Sequence, residues 1–182
     1  MSIVTKEEVK DFLNLTGNTK DNLIDFLIPK VENFVLNYCG RTSFEYAEYI
    51  EYFDAGGNSF LVKNNPIDSS KAISLYVDPD REFGSDTLID EEDYGIDHEA
   101  GIIRLDYKTE YTFQAVKIKY WGGYLQAKIP EGLKLGTVKL VALAIKDGEG
   151  GELGVSSRSL PDGSVNFLKR EVPRELDQFI ND

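Results

Sequence analysis

The residues that could do chemistry are few. His98 is the only histidine, so any Ser–His pair must use it, with Ser156 or Ser157 as the nucleophile. The stretch Gly154-Val155-Ser156-Ser157-Arg158 lacks the last glycine of a nucleophile elbow, and no strand-to-helix turn is expected after it. His98 stands in a predicted turn, His98-Glu99-Ala100-Gly101, which suits a turn histidine better than a general base. Asp78, Asp80 and Glu82 start like a calcium loop. Phe83 then stands where the sharp glycine turn belongs, and Ile89 where the bidentate acid belongs. Asp90-Glu91-Glu92-Asp93 is denser, but neighbouring acids on an extended chain point to opposite sides and do not converge on one ion. It reads as a solvated acidic loop.

Cys39 is the single cysteine, which excludes an internal disulfide. It ends a predicted helix, where the dipole disfavours a thiolate, so it reads as a small core residue. The glycines at 148, 150, 151 and 154 follow a helix instead of a strand and read as a hinge, not a phosphate loop. Trp121 between Tyr120 and Gly122, with Tyr124 nearby, could stack a base or sugar. At a strand end it reads better as the rim of a core or interface. These residues make no catalytic set, and no cofactor or metal is expected. A carbohydrate- or calcium-binding β-module using the 78–93 acids and Trp121 is the alternative function, and a hydrolase using His98 with Ser156 or an acid is a second rival.

The elements that must carry these residues form an α+β chain. Thr5 with Glu8 reads as a capping box opening a short helix with Val9, Phe12 and Leu13 on one face. A second helix is predicted over 19–39. Leu23, Ile24, Leu27, Ile28, Val31, Phe34, Val35 and Tyr38 give it an apolar face, and Pro29 should kink it. Gly40 is placed to end it. A β-rich insertion follows. Residues 44–53 read as a strand or extended arm, 59–62 as a short apolar piece, and 72–77 as a strand. Short strands are expected at 87–89, 94–97 and 102–105. The stretch 115–120 alternates Val116, Ile118 and Tyr120 against Lys117 and Lys119 and is the clearest strand.

Pro130 then suits the first turn of a helix reaching about Lys146, apolar almost all round from Val138 to Ile145 and therefore buried on more than one side. Val155–Ser159 and Ser164–Leu168 flank Pro161-Asp162-Gly163 as a hairpin. Pro173 opens a last helix with Leu176, Phe179 and Ile180 on one face. The expected divisions are 1–43, N-terminal helices; 44–125, the insertion; 126–148, a core helix; and 149–182, a C-terminal hairpin and helix arm.

With 182 residues the chain can bury a real core. Its 32 acids against 20 lysines and arginines give a formal charge of −12. Such a surface repels phosphate, which argues against nucleic-acid wrapping and against anionic membranes. The acidic N-terminal residues are not a signal peptide, and no apolar run approaches the roughly 20 residues of a membrane span. A soluble protein made in the cytosol is expected.

The order of pieces resembles the head–tail connector (adaptor) proteins of tailed phages and prophages over nearly the whole length. The resemblance rests on the Thr5–Leu13 helix and Asn37-Tyr38-Cys39-Gly40-Arg41, then Asn65-Pro66-Ile67 leading to Tyr76-Val77-Asp78. It continues through Asp93-Tyr94-Gly95-Ile96-Asp97, Gly101-Ile102-Ile103-Arg104-Leu105 and Val116-Lys117-Ile118-Lys119-Tyr120. Gly122-Gly123-Tyr124, Ile129-Pro130-Glu131-Gly132-Leu133-Lys134 and Gly154-Val155-Ser156-Ser157 through Gly163-Ser164-Val165 complete it. The departures are Pro29, Gly132 and Gly136 inside helices.

The resemblance implies a virion protein assembled in the host cytoplasm. It implies a ring of about twelve copies below the portal protein, with no catalytic residues. Such a ring extends the DNA channel, lets DNA pass without specific binding, and docks tail completion or stopper proteins. A closed ring needs two different patches per subunit. The third helix and the C-terminal arm are the expected patches: Leu140, Val141, Leu143, Ala144, Val155, Val165, Phe167, Leu176, Phe179 and Ile180.

Overall fold

The computed structural model describes residues 2–150, with side chains to 146, and the backbone of 157–160 and 163–166. The chain divides into two units, one of residues 1–39 with 129–182 and one of residues 40–128.

In the first unit, α1 (Lys6–Leu13) starts at a full capping box. The Glu8 amide donates to Thr5 Oγ1 at 3.2 Å, and the Thr5 amide donates to Glu8 Oε2 at 2.6 Å. Two orphan donors are thereby satisfied by one another's residues. α2 (Asp21–Tyr38) continues through Pro29, and Gly40 follows its Cys39 cap with φ +65°. Glu32 Oε1 accepts from the amides of Ile3 and Val4, at 2.6 and 3.3 Å, and so ties the N-terminal segment to α2. Lys6 reaches Asp25 at 2.6 Å and Lys10 reaches Asp21 at 2.8 Å across the α1–α2 pair.

α3 (Glu131–Gly150) contacts both other helices. Its first bond runs from the Lys134 amide to the Pro130 carbonyl, a position where proline's missing donor costs nothing. Val9, Ile24, Ile28, Val35, Leu133, Val141 and Ile145 form the apolar interior. Leu133, Val138, Val141, Ala142 and Ile145 cover more than one side of α3, while Leu135 and Leu143 stay exposed. The helix runs through Gly148 and Gly150, so the break expected at 148–151 does not occur at those glycines. Two glycines cost only about 1 kcal/mol each in a helix, which neighbouring turns can absorb. Beyond it, β7 (Ser157–Leu160) and β8 (Gly163–Asn166) pair antiparallel.

The second unit carries two three-stranded antiparallel sheets. One has the order β1–β6–β3, from β1 (Ala47–Phe53), β6 (Val116–Gly122) and β3 (Ser74–Val77). The other has the order β2–β5–β4, from β2 (Ser59–Leu61), β5 (Ile102–Leu105) and β4 (Tyr94–Asp97). On β6, Val116, Ile118 and Tyr120 are buried and Lys117, Lys119 and Trp121 are not, a clean period of two. Phe60, Val62, Leu75, Ile103 and Leu105 join them in one core. Residues 87–89 do not form the expected strand. Ser85–Thr87 is a 3₁₀ turn closed by the Thr87 hydroxyl on the Gly84 carbonyl, and only Leu88 makes a bridge, to Tyr76.

The ends of this unit are locked together by buried polar groups. Asn64 is buried, and its Oδ1 accepts from the amides of Thr42 and Ser43 at 3.2 and 3.0 Å. Its Nδ2 donates to Thr42 Oγ1 at 2.8 Å, and its own amide donates to Tyr120 Oη at 3.2 Å. The Tyr120 hydroxyl in turn donates to Glu51. Burial, and then Glu51, push the Tyr120 pKa far above the usual phenol range. Arg41 donates to both the carbonyl and the side-chain oxygen of Asn65, and its guanidinium lies over Phe44 and Tyr124. The Asn65–Pro66 peptide is cis.

Gly122 and Gly123 allow this closure. A Cβ on Gly123 would stand 2.3 Å from the Glu45 carbonyl oxygen, and its φ is +89°. Gly123→Ala should therefore destabilise the protein by more than about 2 kcal/mol in chemical denaturation, from strain and overlap together. Tyr120→Phe, which strands the Asn64 amide, should cost about 1–3 kcal/mol.

Candidate assembly surfaces

Two of the sequence candidates for chemistry, Asp78 and Trp121, are engaged in contacts within the chain. Asp78 is buried, and its carboxylate accepts from the amides of Asp80 and Phe83 at 2.9 and 2.6 Å. The Phe83 bond foremost holds its pKa below the ordinary value, against burial. The calcium-loop reading loses its first ligand to this turn. Asp80 and Glu82 are exposed, and Glu91–Asp93 forms an exposed 3₁₀ turn. Among the described residues no three histidine, cysteine, aspartate or glutamate side chains converge as a metal ion would need. Cys39 is half-buried at the C-terminal cap of α2, less enclosed than the core position expected, because the chain turns away there.

Trp121 is half-buried and engaged, its ring 5.4 Å from that of Tyr46 and 5.9 Å from Lys71 Nζ. His98 sits in the β4–β5 turn, where its carbonyl accepts from the Ile67 amide at 2.7 Å. It lines a shallow depression of about 460 Å³ with Ser70, Lys71, Glu91 and Tyr94. Its Nδ1 is buried without a hydrogen-bond partner among the described residues. The Ser70 hydroxyl donates to Asp68 at 2.7 Å, not to the imidazole. Ser156 lies outside the described residues.

Asp68 accepts from the Tyr46 hydroxyl and from both the amide and hydroxyl of Ser70. These bonds, the tyrosine's first, hold its pKa at about 2. A folded-state pKa below the unfolded one stabilises above the ordinary carboxylate range, and the contribution is lost as pH falls through the folded value near 2.

What remains is apolar surface. On α2, Leu23, Phe34 and Tyr38 are exposed along one flank with half-buried Leu27 between them, and Phe34 stacks on Tyr38 at 6.0 Å. Phe26 is 58% exposed beneath Lys30, whose Nζ lies 4.7 Å from the ring centroid. On α3, Leu143 is 48% exposed and Leu140 and Ala144 are half-buried, whereas Val141 is wholly enclosed within the chain. Val165 lies on β8 opposite Arg158. Val155, Phe167, Leu176, Phe179 and Ile180 lie outside the described residues.

In the second unit a loop, 106–114, carries Tyr107, Tyr111 and Phe113 into solvent. On the outer face of the β1–β6–β3 sheet, Phe83 packs against Tyr52 at 5.6 Å, with Lys117 over Tyr76 and Phe83. Sequence patterning missed Phe26 and the loop aromatics because they sit off the predicted apolar faces. An aromatic residue among polar neighbours was the available signal. Among the described residues no helix is long and apolar enough to cross a membrane.

The architecture is α+β: the described residues form three helices, two three-stranded antiparallel sheets and one antiparallel strand pair. A family model, the head completion protein, matches residues 2–172, so the chain belongs to that family. Membership supports a structural role for the chain at the phage head–tail junction. No curated protein matches the sequence. The fold is similar to a chain in the neck of an empty GTA particle computed with C6 symmetry. That match has 12% identity and a TM-score of 0.59, and covers 97% of this chain and 88% of that one. It is also similar to a chain in the neck of a native GTA particle computed with C12 symmetry, at 12% identity and a TM-score of 0.50, over 83% and 78% of the two chains.

Two outcomes test the polar site. A carboxylate-resolved NMR titration should place the Asp68 midpoint near 2. Tyr46→Phe should move it up towards the ordinary aspartate value; an unmoved midpoint would remove the tyrosine as its main cause.

Proposed function

We propose that this protein is the connector between a phage head and its tail, acting as a homo-oligomeric ring of about twelve copies set below the portal protein. The ring continues the DNA channel and gives a tail completion or stopper protein its seat. The observation that carries the reading is the exposed apolar helical surface of the first unit, in a chain of the head completion family. The Leu23–Phe34–Tyr38 flank is exposed apolar surface, and contiguous surface of that kind marks protein contacts. The symmetry named for the two similar necks is in keeping with a ring.

A ring joins two different surfaces of each copy. Leu143, with Leu140 and Ala144 beside it, is the α3 contribution, and the α2 flank is the other. Val141 contributes to the fold instead, since it is enclosed within its own chain. The C-terminal residues Val155, Val165, Phe167, Leu176, Phe179 and Ile180 belong to the arm that reaches a neighbouring copy or the portal. The formal charge of −12 suits a channel that DNA crosses without being held.

Disrupting the gene in its phage and imaging the particles tests the reading: filled heads without tails, or heads that leak DNA, are expected, and tailed infectious virions would refute it. Phe34→Asp with Leu143→Asp should lower the melting temperature only modestly, because about half of each side chain is already in solvent. Cross-linked ring species on portal-bearing heads should nonetheless fall by about tenfold or more.

A further inference from the structure

The loop 106–114 is built as a rigid knob. It follows β5 and is fastened along its length to the turn 54–58. The Thr109 hydroxyl accepts from the Gly56 amide and donates to the Gly57 carbonyl, both at 2.8 Å, and the Thr109 amide donates to that same carbonyl at 3.1 Å. Further bonds run from the Ala55 amide to the Thr112 carbonyl at 2.9 Å and from the Gln114 amide to Asp54 Oδ1 at 2.9 Å. Tyr111 rests on Gly56, where a Cβ would come within 3.1 Å of the ring and where φ is +120°. These bonds order the backbone of the loop, while Tyr111 is 76% exposed, Phe113 57% exposed and Tyr107 45% exposed.

The knob has an acidic border. The Asp106 amide donates to the Asp93 carbonyl at 3.0 Å, which sets the loop's first residue beside the 90–93 acids. Across residues 54–58, 90–93 and 106–114 there are seven acids and one base, Lys108. The whole second unit carries 17 acids against 9 lysines and arginines, a net −8 of the chain's −12. Preformed aromatic side chains ringed by charge are the make-up of a binding hot spot, because little freedom is left to lose on docking.

We propose that this knob inserts into an apolar pocket, bordered by lysines and arginines, on a different protein of the particle. A second copy of this chain is the poorer occupant, since an acidic border would then meet another acidic surface. The proposal rests on the connector reading for the location of the partner, but the partner's chemistry follows from the knob alone.

The experiment places a photoreactive benzoyl-phenylalanine at Tyr111 in the full chain, grows the phage with it, irradiates purified particles and maps the cross-link by mass spectrometry. The expected product joins Tyr111 to another virion protein at a segment bearing lysine or arginine. A cross-link only to a second copy, or none, overturns the proposal. In parallel, Tyr111→Ser with Phe113→Ser should keep the melting temperature and the oligomer mass of the wild type, while infectious yield falls by about tenfold or more. A double variant with wild-type yield also overturns it. If the unaltered protein is absent from purified particles, the connector reading fails and takes the proposal with it. If the protein is present and the knob cross-links to nothing, only the knob is refuted.

Discussion

The second unit depends on one buried carboxamide. Asn64 is almost wholly enclosed, and an amide so placed must find partners or cost the fold its full desolvation. The carboxamide finds them on the segment where the chain comes in, at Thr42 and Ser43, while the backbone N–H of the same residue donates to Tyr120 on the strand by which the chain leaves. Neighbouring Asn65 extends the same junction to the carbonyls of Glu99 and Ala100 in the β4–β5 turn. Three stretches distant in sequence are thus held by one polar cluster. Close backbone approach follows, and Gly122 and Gly123 are there because no side chain fits. The hydrophobic core supplies the driving force for folding this unit, but apolar burial is not directional. The Asn64 hydrogen bonds fix which segments meet.

The same division between driving force and direction separates the two kinds of surface. In the helical unit, charged pairs such as Lys10–Asp21 and the Glu32 carboxylate position the elements, and the aliphatic interior binds them. Exposed ion pairs contribute little stability by themselves. Among the described residues, what the unit leaves exposed is aromatic and aliphatic side chains on α2 and α3. In the β unit the uncovered area is of another sort: a short loop made stiff by Thr109 and the 54–58 turn. One surface is a broad helical face suited to a neighbour of similar shape. The other is a small, preformed projection.

Much of the local structure was legible beforehand. The Thr5–Glu8 spacing gives both hydrogen bonds of the capping box. The Val116–Lys117–Ile118–Lys119–Tyr120 alternation becomes the inside and outside of β6. His98-Glu99-Ala100-Gly101 is a turn, with Gly101 at φ +73°. The failures share a cause. Gly148 reads as a breaker but is helical, because propensity is a weak preference set against a long helix with an apolar interior. Residues 87–89 look like a strand but curl, since the Thr87 hydroxyl takes the Gly84 carbonyl instead of leaving it to a neighbour. Asp78 was weighed as a metal ligand, yet its two backbone amides come from its own loop, a local competition that spacing rules do not register.

The sequence by itself determined the class of element at most positions, the acidic character, and the poverty in reactive groups, because these follow from periodicity, capping and counting. Only tertiary structure decided which apolar residues remain outside. Val141 and Leu143 are two residues apart on one helix with similar hydrophobicity, and one is sealed while the other is open. Periodicity says that a face will be buried; it does not say how far a neighbour's coverage extends. For the same reason periodicity is silent on Tyr111 and Phe113, whose backbone the turn at 54–58 holds while much of each ring stays exposed.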